Sequence, residues 1–593
     1  MKKIIYYILL FFSLGLFAQN EQLAQNYFDK GDFEKALISY EELLKNQYSN
    51  GLYFQKVIEC YQQLSRFDKA EKSLMARIEK YKQPNLLVEL GYNYQLQKND
   101  VEAKKNYEKA LDEITKNPSN VYAIAAVFER KVILDYALKA YELGAKLEPN
   151  FNFNYPIGVI YGQLGKTDLM IEKFLDEAYR NRVSSIQIQN QLSRFMSEEE
   201  GDASFNISLK KALLLRAQKD QDVFWNEYLS WFFVQQKDYS KAFVQEKAIY
   251  KRNPETFSNI VNLAQLAMEE QDESTATAIF SFVLENTQDT ELKVQAHTFL
   301  MKMKTDKASE KDFLIVNSEL DLLLKEYGIS PYSLPLQLLQ AHFITFIGNN
   351  PEQGKIILKT ALDLPLNNYQ VAEVKMELGD ILLFEEKFNQ ALIYYSQIED
   401  DLKNDEVGHE ASLKAAKTSF FKGDFDWAQK QFKALKSAAT QLIANDALEF
   451  FLLINDNTVS DSTQTDLKKF ARADYLLYQN KTAAALTQFQ ALIKEHKTEE
   501  IQDVTLLRIG KINQKLGNFN EALANYQSVI NQFKEGIYID EALYFSAEIY
   551  NKQLQEPEKA KPLYEKILFE HEDSIYFIDA RKKFRQLRGD NNL

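Results

Sequence analysis

LLVELGYNYQLQKNDVEAKKNYEKA, residues 86–110, is the stretch whose reading decides the fold. It places Leu90-Gly91, Tyr94, Ala103, Tyr107 and Ala110 at helical spacings. Outward from Ala103, the same alanine returns at Ala36, Ala70, Ala137, Ala242, Ala276, Ala391, Ala428, Ala485, Ala522 and Ala560. The steps are 34, 33 and 34 residues from Ala36 to Ala137, 37 from Ala391 to Ala428, and 37 and 38 from Ala485 to Ala560. A period of this size signals an array of stacked supersecondary units.

Other positions fall into register with the alanine. Twelve residues before it stands a second small residue: Ala24, Gly91, Ala125, Gly379, Ala416 or Gly510. Four residues after it stands a ring, among them Tyr40, Tyr107, Tyr141, Phe280, Tyr395, Phe432, Phe489, Tyr526 and Tyr564. Nine before it comes a further ring or aliphatic residue, as at Tyr61, Phe128 and Leu382, and three before it a turn aromatic, as at Phe33, Phe388 and Phe519. The pattern predicts a pair of antiparallel helices whose small residues let the backbones approach while the rings fill the gaps. Gly31-Asp32, Gly165-Lys166, Gly423-Asp424 and Gly517-Asn518 lie between the flanks. Glycine there can close one helix in the left-handed conformation, and Asp or Asn can cap the next. Pro149 and Pro254 are expected to stop the second helices of their units.

This register resembles the tetratricopeptide repeat (TPR), most closely at Leu90-Gly91, Tyr94, Ala103, Tyr107 and Ala110 and at Leu378-Gly379, Leu382, Ala391 and Tyr395. The resemblance implies an all-α fold, an α-solenoid superhelix of tandem TPR-like helix hairpins. The C-terminal units, with their longer spacing, look like the TPR-like variant of bacterial envelope proteins. The expected division is a leader over 1–18, an N-terminal TPR array over 19–310 and a C-terminal TPR-like array over 311–593 with irregular repeats and a capping helix. Met170 and Phe174 mark a unit in which methionine replaces the alanine, and another is expected near Gly354 and Leu358. Residues 184–222 fit one degenerate unit poorly, and the polar run Asn455–Asp466 reads as a loop.

The formal charge is −14, from 71 basic and 85 acidic residues. Such a chain repels phosphate backbones, so no nucleic-acid partner is expected. Met1-Lys2-Lys3, the apolar run Ile4–Phe17 and Ala18-Gln19 read as a secretory signal peptide cleaved after Ala18. The apolar run is short of the roughly 20 residues that span a bilayer, so no integral span is expected after cleavage. The leader resembles those of gram-negative secreted proteins, which implies the periplasm or outer envelope. Cys60 is the only cysteine, so no internal disulfide can form, and its place beside Tyr61 predicts an inert buried thiol.

Site chemistry is sparse. The histidines, His297, His342, His409, His496 and His571, do not cluster, and no nucleophile elbow, phosphate loop or dinucleotide fingerprint occurs. Asp456, Asp461 and Asp466 recur without the spacing or glycine of a calcium loop. No catalytic residue, cofactor or metal is therefore assigned, and a non-catalytic scaffold for protein partners is expected. A glycan or cell-wall binding module is the alternative.

In TPR proteins the first helix of each unit lines the concave face. Carried over residue by residue, the resemblance puts Tyr92 and Trp231 eleven residues before the alanine, and Tyr122, Tyr155 and Leu413 fifteen before it, with Tyr544 one turn residue further; Phe224 and Phe421 lie nearby. Tyr92, Tyr122, Tyr155, Phe224 and Trp231 are the candidate partner-binding residues. The lysine and asparagine clamp by which some cytosolic members hold acidic tails is absent, with only Lys56 in its helices. The end of the chain, 574–588, is expected to cap the last repeat with Ile575, Phe577, Ile578, Phe584 and Leu587 and to turn Arg581, Lys582, Lys583, Arg585 and Arg588 to water.

Overall fold

A computed structural model describes residues 20–197, 203–254, 257–438, 440–458, 463–495, 499–533 and 536–589. The leader residues lie outside these, as does His496. Helices follow one another in antiparallel pairs, and the described residues hold no strand. The chain forms two compact units, one ending at Trp225 and one beginning at Asn226.

The registered positions are the core. Every repeating alanine is buried, and so are the rings four residues after it. At Gly379 the reason is explicit: a β-carbon would stand 2.5 Å from the Tyr395 ring. The ring occupies the space a side chain would need. Gly91 against Tyr107, Gly510 against Tyr526 and Gly158 against Phe174 repeat the arrangement, the last in the Met170 unit. The buried phenols four residues after the alanine find acceptors on the first helix of their own pair. Tyr107 donates to Gln95 at 2.6 Å, Tyr141 to Glu129 at 2.6 Å, Tyr395 to Asp380 at 2.7 Å and Tyr526 to Gln514 at 2.8 Å. A buried hydroxyl thus avoids the cost of an unmade bond.

The turn between the two helices is the most uniform element. Its closing residue, five before the alanine, has positive φ at the expected Gly31, Gly165, Gly423 and Gly517. It also has positive φ at Ser65, Lys98, Val132, Lys237, Gln271, Asn349, Glu386, Asn480 and Gln555. The next amide donates back across the turn, as Ile133 N–H does to the Phe128 carbonyl at 2.8 Å and Lys387 N–H to Leu382 at 2.9 Å. This is a left-handed closure that satisfies carbonyls of the ending helix. Side-chain caps on the second helix fall elsewhere than expected: Asn99, Asp238, Asp272 and Asn350 make them, whereas Asp32 and Asn518 do not. Asp32 binds Lys35 at 2.6 Å instead. Helices Leu134–Leu147 and Tyr239–Arg252 end two residues before Pro149 and Pro254, as expected.

Irregular regions are helical too. Residues 184–222 hold helices Ser185–Ser197 and Ala203–Lys219, and the Gly354 unit is the pair Leu334–Phe346 and Pro351–Leu362. Asn455–Thr458 is not loop but the last turn of helix Gln441–Thr458, an additional helix between the Ala428 and Ala485 pairs. At the C-terminus, Phe584 and Ala580 of helix Phe577–Arg588 are buried, but Ile575 and Ile578 are exposed and do not cover the repeat. Lys583 is turned inward, 2.7 Å from Glu548 and 2.5 Å from Asp579, because the end of the array leaves carboxylates to be neutralised.

Val132 is exposed and β-branched at φ 58°, a conformation such side chains resist. Val132→Gly should stabilise the chain by about 0.5–1 kcal/mol, relief of the steric term exceeding glycine's entropy. A urea titration reads this as a raised midpoint; a lowered midpoint would show that valine fits this turn without strain.

Candidate binding groove

The candidate residues occupy different settings. Tyr92 is half-buried, with the Lys131 ammonium 4.8 Å from its ring centre. Tyr122 is 52 % exposed and leans on Phe153 and Tyr141. Tyr155 is half-buried against Phe174. Phe224 is 4 % exposed, packed on Tyr179 and Trp225 beneath Arg182, so it contributes to the core rather than to a surface. Trp231 packs on Tyr228 and belongs to the second unit, whereas the other four belong to the first.

A cavity that the repeat register alone did not reveal lies in the second unit. Helix Thr465–Tyr478 folds back by more than ninety residues onto helix Asn368–Phe384. The Tyr475 hydroxyl lies 2.6 Å from the Leu383 carbonyl, Tyr478 donates to the Asp380 carbonyl at 2.8 Å, and Gln479 Nε2 donates to the Phe384 carbonyl at 2.7 Å. These carbonyls lie at the C-terminal end of their helix, and the fold-back adds donors to them, at Leu383 beside the Glu386 N–H at 3.0 Å. Phe421 packs against both Tyr475 and Tyr478.

The fold-back leaves a groove of about 580 Å³. Its walls are first helices Asn368–Phe384, Glu406–Lys422, Thr465–Tyr478 and Glu499–Lys515, with the additional helix Gln441–Thr458 among them. Leu383, Leu413, Phe421, Phe450 and Leu477 supply apolar lining. Ion pairs cross it: Lys414 to Asp380 at 2.6 Å, Lys417 to Asp446 at 2.9 Å, and Arg508 to Glu449 at 3.0 Å and to Asp474 at 3.5 Å. Burial works against the Lys414 charge, but Asp380 outweighs it and holds the ammonium above its ordinary pKa. Burial raises the Asp474 carboxyl despite Arg508. Such pairs give a fixed charge pattern more than net stability. Of the residues singled out from sequence, Leu413 and Phe421 line this groove. The Cys60 thiol is buried in the first unit and pushed up to about 12 by desolvation, an inert thiol as expected.

A tetratricopeptide-repeat family model matches residues 20–50, and another matches residues 505–535. Each spans one helix pair of the register above. The two matched helix pairs are thus tetratricopeptide repeats, and the fold is an all-α solenoid of helix hairpins in the same register. Solved structures with a similar trace include Naa15/Naa10 bound to HypK-THB, at 12 % identity over 96 % of this chain and 99 % of that one, with a TM-score of 0.28. Others are the Cut9–Hcn1 hetero-tetramer of APC/C, at 12 % identity over 95 % of each chain with a TM-score of 0.23, and yeast Tom70, at 12 % identity over 88 % of this chain and 99 % of that one with a TM-score of 0.28. No curated protein matches the sequence. Repeats of this class make the protein an interaction scaffold.

Asp503, on the helix that carries Arg508, has its carboxyl raised from 3.8 to about 6 by burial. The folded chain therefore binds a proton that the unfolded chain releases between these values. That stabilisation is complete below pH 3.8 and is lost as pH rises through 6. Asp503→Asn should stabilise the fold by about 1–2 kcal/mol at pH 7.5, less than the full shift because the group is partly exposed, and by almost nothing near pH 4. Denaturant titrations at the two pH values read the gap; an equal gap at both would refute the linkage.

Proposed function

We propose that this chain is a non-catalytic protein–protein interaction scaffold of a gram-negative cell envelope, which holds a segment of its partner in the groove of the second unit. The observation that carries the reading is the groove itself. It is built from first helices, it is deep enough to take several side chains, and its polar lining is already paired within the protein, so it need not be filled for the fold to persist. Pockets of this size are where proteins hold ligands. Export rests on the basic start, short apolar run and Ala18 of the leader. Among the described residues no helix is long and apolar enough to cross a membrane.

A photo-crosslinking amino acid placed at Lys417, and separately at Tyr122, tests the reading in cells. A defined protein captured from position 417 is expected. Capture from position 122 alone would move the site to the first unit, and recovered saccharide would support the glycan alternative. The Tyr122→Ala, Tyr155→Ala double variant should then keep its partner, since both rings lie outside the groove. N-terminal sequencing of the native protein should begin at Gln19. An intact Met1 on soluble cytoplasmic protein would overturn export.

A further inference from the structure

Five carboxylates line the groove, those of Asp380, Glu410, Asp446, Glu449 and Asp474, against three cations, Lys414, Lys417 and Arg508, for a formal charge of −2. Each cation already holds a carboxylate at 3.0 Å or closer. Glu410 stands 4.0 Å from Lys414, which Asp380 engages more closely, and Asp474 is the more distant partner of Arg508. Neighbouring Lys511 does not offset the excess, because it is paired with Glu541 at 2.5 Å.

At the rim the two signs differ in exposure, while the deepest charges are the carboxylates of Asp380 and Asp474, 10 % and 12 % exposed. The side chains of Glu410, Asp446 and Glu449 are 53 %, 44 % and 33 % exposed, whereas Lys414, Lys417 and Arg508 are 28 %, 28 % and 18 % exposed. An arriving molecule therefore meets carboxylates first and cations only behind them. An anionic segment would pass a repelling rim and have to displace a carboxylate from each cation it sought. A cationic segment meets Glu410, held only at 4.0 Å by Lys414, and finds apolar surface from Phe421, Phe450 and Leu477 between the charges. The rim carboxylates come from two facing walls, Glu410 from helix Glu406–Lys422 and Asp446 and Glu449 from helix Gln441–Thr458. The charge excess of the whole chain adds a long-range pull of the same sign.

Resting on the reading that this groove receives a protein segment, we propose that the occupant is a basic, amphipathic peptide segment: lysine or arginine side chains seated on Glu410, Asp446 and Glu449, with an apolar side chain between them on Phe421, Phe450 and Leu477. Selectivity comes from the rim, which repels acidic segments as well as attracting basic ones.

Three end-capped peptides of equal length, alternating leucine with lysine, glutamine or glutamate and carrying a benzophenone, provide the test against the full-length chain by fluorescence anisotropy. The lysine peptide should bind at least ten-fold tighter than the glutamine peptide, weaken as salt shortens the Debye length, and crosslink to the helices that carry Glu410 and Asp446. E410Q/D446N/E449Q should weaken the lysine peptide at least ten-fold with unchanged circular dichroism. E410Q alone, which breaks no closer ion pair, should weaken it about two- to five-fold if the triple variant fails to fold. Equal binding of lysine and glutamine peptides, preference for glutamate, or indifference to both variants would overturn the charge assignment. D446C capped with a bulky maleimide separates the two readings, since Cys60 is buried and unreactive. If the cap abolishes binding of whichever peptide is preferred, the groove stands whatever its charge preference. If the cap leaves all binding intact, the groove reading itself fails.

Discussion

A ring seated where a side chain is missing is the contact on which the hairpins depend. Tyr395 over Gly379, Tyr107 over Gly91 and Tyr526 over Gly510 bring the two helices of a pair closer than any larger residue would allow. The close approach buries the repeating alanine on the other helix completely or nearly so. Because the ring is so often tyrosine, the same contact carries a polar obligation, and Gln95, Glu129, Asp380 or Gln514 meets it from within the pair. Each hairpin is therefore satisfied internally before it stacks on a neighbour, which suits an architecture whose units fold against their nearest neighbours.

The turn follows from that contact. With the helix separation set by the ring, the chain must reverse within a few residues, and a left-handed residue does so while satisfying the ending helix. The conformation is kept whether glycine, serine, lysine, glutamate or valine occupies the place. Packing on either side evidently outweighs the local cost of about 1–2 kcal/mol that a side chain meets there.

The groove arises where nearest-neighbour stacking is broken. The additional helix Gln441–Thr458 shifts the alternation, and the hairpin that follows it packs inward on helix Asn368–Phe384 instead of simply extending the stack. Tyr475, Tyr478 and Gln479 make this possible by donating to carbonyls at the C-terminal end of that helix. The same fold-back confines charged side chains in a narrow space, which is why they appear as pairs rather than as solvated faces.

The sequence by itself determined the helix pairs, their turns and the identity of their core residues, because each rests on contacts within some forty residues of chain and repeats until it is unmistakable. It also marked Leu413 and Phe421, which line the groove by virtue of their place in the register. It missed the non-glycine turns, since a valine or glutamate held at positive φ by its neighbours leaves no compositional trace. It read Phe224 as surface, although Tyr179 and Trp225 enclose it, because a ring near the lining positions looks alike whether its neighbour covers it or not. Only the tertiary structure decided where the groove lies. Its walls join residues from Asp380 to Arg508 through a fold-back, and a contact between segments so distant has no period by which a single sequence could announce it.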